Sequence, residues 1–108
     1  MKTLLIALLV TLPALARADE AEALYNQTCV ACHGPDGKGA IPGTPDFNKA
    51  DSPLHRKDEA TLARSILDGF QSPGSSMAMP PRGGMPSLTE EQAVALVRFL
   101  HARFGGNK

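Results

Sequence analysis

The chain has 108 residues, with 11 basic and 11 acidic side chains, 43% hydrophobic residues and two cysteines. A balanced charge with no basic stripe excludes a nucleic-acid binder. It also argues against strong long-range steering toward one highly charged partner. The length suits one small domain.

Residues 1–18 have the form of a secretory signal. Lys2 supplies the positive start, Leu4 to Val10 the apolar stretch, and Pro13 a break. Ala16-Arg17-Ala18 is a small-x-small cleavage site before Asp19, with cleavage after Ala16 as the alternative. The apolar run is too short for a stable membrane-spanning helix, although an uncleaved anchor is the competing reading. Cleavage after Ala18 leaves residues 19–108, with nine basic against eleven acidic side chains. No second hydrophobic span follows, so the mature protein is expected to be soluble, without a stable membrane anchor.

From Asp19 the chain becomes polar and helix-forming. Ala21, Tyr25 and Cys29 lie at i, i+4 and i+8 and so share a helical face. A small residue followed by an aromatic would let a second helix cross closely. This helix runs into Cys29-Val30-Ala31-Cys32-His33, which holds both cysteines of the chain. Cys-x-x-Cys-His is the attachment signature of a c-type haem. Each thiol adds across a haem vinyl group, and the histidine turns its imidazole onto the iron. A thioredoxin-like pair would want a βαβ setting, and structural zinc would want four ligands. A plain disulfide is a further alternative. A large covalent apolar plate would give so short a chain a core, and the haem-free chain is expected to be poorly ordered.

Residues 34–45, rich in glycine and proline, read as a loop folded over one haem face. A proline carbonyl there, from Pro42 or Pro45, is a candidate acceptor for His33 Nδ1–H. Residues 46–57 read as a mixed loop. Phe47 and Leu54 are its candidate haem or core contacts. His55, Arg56 and Lys57 form a basic cluster suited to a haem propionate, or simply solvated. Asp58 to Leu67 read as the second helix, opened by Asp58 or Glu59, lined by Leu62 and Ile66, and closed at Gly69. Phe70 is expected to fall back onto the core. Residues 71–87 form a loop with three methionines, Met77, Met79 and Met85, each a candidate second axial ligand. His55 and His101 are the other candidates. The last helix carries a capping box at Thr89 and Gln92. Ala93, Val97, Leu100 and Phe104 line one of its faces, and Arg98 and Arg103 its polar side.

In this order of elements the mature chain resembles a class I bacterial cytochrome c throughout. The resemblance implies an all-α fold: a small cytochrome c fold with three main helices and loops wrapped around one covalent haem. It implies that the first and last helices cross at Ala21 and Tyr25 against Leu96 or Val97, Phe99 and Leu100. The proximal proline falls at Pro45, or at Pro42 for a shorter loop. Met79-Pro80-Pro81-Arg82-Gly83 is similar to a bacterial axial-methionine loop, which favours Met79 over Met77 and Met85. The site is then Cys29 and Cys32 as thioethers, His33 and Met79 on the iron of one haem c, and Pro45, Phe47 and Arg56 as further cofactor contacts. The implied function is a periplasmic one-electron carrier, monomeric and not itself an enzyme, that docks transiently on redox proteins through a rim including Lys38, Arg56, Lys57 and Arg82. A dedicated cytochrome subunit of a larger oxidoreductase is the alternative. A haem gas sensor or peroxidase-like protein is a more distant one.

Overall fold

A computed structural model describes residues 18–71 and 78–105. The expected secretory leader, apart from Ala18, and the candidate ligand Met77 lie outside them. The described residues form five α-helices, α1 (Ala18–Leu24), α2 (Val30–His33), α3 (Pro53–Arg56), α4 (Glu59–Asp68) and α5 (Glu90–Phe104), together with a π-helical turn at Tyr25–Cys29 and a 3-10 turn at Pro81–Gly84. Among them there is no strand, only one antiparallel bridge between Phe70 and Met79. The fold is all-α.

The caps explain where the long helices begin. At α4 the Asp58 carboxylate accepts from the Thr61 amide at 2.8 Å, so Asp58, rather than Glu59, is the cap. At α5 the expected capping box forms reciprocally: Gln92 N–H donates to Thr89 Oγ1, and Thr89 N–H to Gln92 Oε1. Each arrangement satisfies amides that the helix itself leaves without partners.

The first helix is not continuous. Tyr25–Cys29 widens into a π-helical turn between α1 and α2. Such single wide turns add a residue without breaking the helix, and they occur often at functional sites. Here the wide turn ends on the first cysteine and redirects the chain beyond Tyr25.

Helices α1 and α4 both pack on α5. Ala21, Ala93 and Val97 are fully buried, and residues this small let helices approach closely. Tyr25 packs its ring against Phe99 and Phe104, with centroids 5.4 and 5.8 Å apart. Its hydroxyl donates to the Gly34 carbonyl at 2.5 Å, so one side chain joins the first helix, the last helix and the start of the loop. Three exposed polar contacts lie over the same seams: Gln92 to Glu20, Arg103 to Glu22 and Arg98 to Glu59. They add little compared with the burial beneath them.

Phe70 is the exception to the apolar pattern. It is 41% exposed instead of folding into the core. Gly69 turns the chain at φ +82°, and Phe70 then pairs its backbone with Met79. Its ring lies beside Lys57, whose Nζ is 4.3 Å from the ring centre, and both residues border the same apolar cleft. Residues 46–57 are likewise more ordered than a loop, because Pro53 starts the one-turn helix α3.

Candidate haem site

One apolar cleft runs between α2, the loop 41–47, α4, α5 and the segment around Met79. Cys29, Cys32, His33, Pro45, Phe47 and Met79 all line it. Leu62 and Ile66 of α4 and Leu96 and Leu100 of α5 supply greasy wall. Leu100 shares the helical face of Ala93 and Val97, packs half-buried against the core, and also reaches the cleft one turn beyond Leu96.

Both cysteines are free thiols. Burial, with a smaller contribution from Cys32, pushes the Cys29 thiol up to about 11. It is therefore a neutral thiol at physiological pH. Burial also lowers the His33 imidazole to about 4, because the apolar surroundings disfavour the cation. The ring is thus neutral, with a lone pair free for a metal. Phe47 stacks on it, with centroids 4.6 Å apart and planes 17° from parallel. His33 Nδ1 is buried and has no hydrogen-bond partner. The expected acceptor, the carbonyl of Pro42 or Pro45, is not within bonding reach of it; Phe47 holds the ring by its face instead. A buried imidazole nitrogen left unpaired is costly in a site that the chain alone completes. It fits a site completed by a bound group.

The methionines separate. Met79 lines the cleft, whereas Met85 packs half-buried against the core and does not line it. Neither alternative histidine lines the cleft. His101 Nε2 meets the Leu54 carbonyl at 2.8 Å. His55 has its Nε2 buried without a partner. Among the described residues no three His, Cys, Asp or Glu side chains are grouped to hold a metal ion, which removes the zinc reading there.

The basic residues are sorted differently from expectation. Arg56 is exposed and is not part of the cleft; Lys57 is the cation in the lining. The α3 helix ends at Arg56, and the chain turns extended at Lys57, which reverses their directions. Arg82 is half-buried, with its guanidinium donating to the Leu88 carbonyl, so it braces the chain rather than lying free at a rim.

The family described as "Cytochrome C oxidase, cbb3-type, subunit III" matches residues 16–100. The chain belongs to this family. It is a class I c-type cytochrome, and its cofactor is covalent haem c. The cytochrome is 30% identical over 92 residues to the cbb3-type cytochrome c oxidase subunit CcoP of Rhodobacter capsulatus, covering 84% of this chain and 31% of that subunit. It is also 30% identical over 89 residues to lupanine 17-hydroxylase [cytochrome c] of Pseudomonas sp., covering 82% of this chain and 11% of that protein. It therefore spans about a third and about a ninth of those relatives. The solved KustC0563 c-type cytochrome is 26% identical, with a TM-score of 0.60, over 76% of this chain and 94% of its own. The small cytochrome's donor set suits its cofactor: two thiols, a neutral imidazole and a thioether around one apolar cleft.

Sequence reasoning missed Thr28, Leu96 and Gly83 as cleft residues, whereas Lys57 belongs to the basic cluster read as suited to a haem propionate. Thr28 and Gly83 carried no signal of their own.

Proposed function

We propose that this cytochrome is a periplasmic one-electron carrier in which Cys29 and Cys32 hold one haem c and His33 and Met79 are its axial ligands. The observation that carries this reading is the convergence of His33 and Met79 on the same apolar cleft as both free thiols. When bound, haem supplies reversible one-electron chemistry at its iron. The chain does the rest. Phe47 fixes the His33 ring plane, the walls of α4 and α5 exclude water, and Lys57 offers a cation to a haem carboxylate. A thioether on the second face favours the ferrous state and raises the potential relative to bis-histidine ligation. Filling both axial positions leaves none for a substrate, so the chain transfers electrons and has no reaction of its own.

Export would follow cleavage after Ala18, giving a soluble monomer of residues 19–108. Docking on redox partners would be brief, through small contacts. Lys38 and Arg56 are exposed, and the Lys57–Phe70 pair lies beside the cleft. The similarity to CcoP supports a second reading, a dedicated cytochrome subunit held in a larger oxidoreductase. Gel filtration of the native protein separates the two, since only the subunit elutes with companions.

Carbon monoxide tests the closed site. Mixed with the ferrous protein, it should leave the visible spectrum unchanged over seconds. Fast conversion to a carbonyl adduct would mean an open sixth position and a sensor-like or peroxidase-like protein.

A further inference from the structure

The segment that carries Met79 is held at two ends by different means. At its start, Phe70 and Met79 exchange backbone hydrogen bonds, at 3.1 Å from Phe70 N–H and 2.6 Å from Met79 N–H. Gly69 allows this approach: a Cβ there would lie 2.7 Å from the Met79 carbonyl oxygen. Beyond Pro81 the chain passes through three residues of positive φ, Arg82 at 57°, Gly83 at 62° and Gly84 at 81°. A left-handed arginine is unfavourable by itself and persists only when its surroundings impose it. Two side chains do so here. The Arg82 guanidinium donates to the Leu88 carbonyl. Thr28 Oγ1, 55 positions earlier in the chain, donates to the Gly83 carbonyl at 2.5 Å.

Thr28 lies inside the π-helical turn, directly before Cys29. In a regular α-helix a threonine hydroxyl commonly turns back to the carbonyl one turn earlier. Here it bonds across the cleft instead, and a Cβ on Gly83 would collide with it. Thr28, Met79 and Gly83 all line the cleft.

We propose that Thr28 is a positioning residue for the sixth ligand: its hydroxyl latches the methionine strap, through the Gly83 carbonyl, to the turn that ends on Cys29, the first haem-attachment cysteine. The inference rests on Met79 being the axial ligand. The latch ties the two faces of the site to each other locally. Opening the strap to let Met79 leave requires breaking the Thr28 hydrogen bond. The π-turn is what aims the hydroxyl across the cleft.

Ligand exchange in the ferric holoprotein tests this. Imidazole competes with the methionine, and its binding is read as loss of the near-infrared methionine-to-iron charge-transfer band. Thr28→Val keeps the shape but removes the hydroxyl, and the apparent imidazole affinity should rise about five- to tenfold. Thr28→Ser keeps the hydroxyl and should stay within about twofold of wild type. Ala93→Gly weakens the fully buried side of α5 at a position that does not line the cleft, and should leave imidazole affinity unchanged while lowering the melting temperature. Equal affinities in wild type and Thr28→Val, or an equal rise in Ala93→Gly, would overturn the latch while leaving Met79 as the ligand. Absence of the near-infrared band in the wild-type protein would overturn the Met79 assignment itself, and the latch with it.

Discussion

Met79→Ala should abolish the near-infrared methionine-to-iron band, open the ferrous protein to carbon monoxide, and lower the midpoint potential. The potential should fall by on the order of 100 mV, a modest part of the ~0.8 V over which axial ligands tune haems. Met85→Ala is the matched control. Met85 packs against the core and does not line the cleft. Its replacement should lower the melting temperature while the band, the potential and the resistance to carbon monoxide persist. The contrast matters because both residues are methionines in the same loop and both precede a proline. Loss of the band in Met85→Ala with its survival in Met79→Ala would reverse the assignment.

The second large effect is expected at Phe47. Its ring is stacked on His33 and lies 6.0 Å from the Phe104 ring. Through Phe104 it joins the cluster with Tyr25 and Phe99. The residue is 7% exposed. Phe47→Ala should therefore cost about 3–5 kcal/mol, the sum of lost burial and the cavity left behind. In a domain whose whole stability is about 5–15 kcal/mol, that is a large share. The melting temperature should fall by roughly 15 °C or more. Glu91→Gln, at an exposed position of α5 outside the cleft, should change stability by about 0.5 kcal/mol or less. Phe47→Leu gives a folded intermediate case if the alanine variant does not accumulate. Similar losses at Phe47 and Glu91 would contradict the packing described here.

The features legible in the sequence were those encoded locally. Cys29 to His33 is a contiguous pentapeptide. The Thr89–Gln92 box and the Asp58 cap depend on residues three apart. The buried faces of α4 and α5 follow helical periodicity. Those signals sufficed for the all-α architecture and for the side chains that gather at the cleft.

The remainder depends on long-range placement. The π-helical turn at Tyr25–Cys29 is invisible to a 3.6-residue pattern, because one widened turn shifts the register without changing composition. Thr28 and Gly83 become neighbours only once the strap is laid over the first helix. Arg56 and Lys57 are adjacent bases, and only the end of α3 decides which of them enters the cleft. Phe70 looks like a core residue by hydrophobicity, yet the backbone pairing with Met79 sets it at the border of the cleft beside Lys57. His33 illustrates the same point. The proline-rich loop suggested a carbonyl partner for Nδ1, but the stacked Phe47 ring takes the role of holding the imidazole.

The central claim is a single covalent haem with histidine and methionine ligation that exchanges one electron. A spectroelectrochemical titration of the purified holoprotein tests it most directly, following the visible bands on reduction and the near-infrared band on oxidation. One Nernst wave with a slope of one electron is predicted, reversible in both directions, with the near-infrared band present throughout the ferric population. A wave of another order, two separable waves, or a ferric form without that band would contradict it.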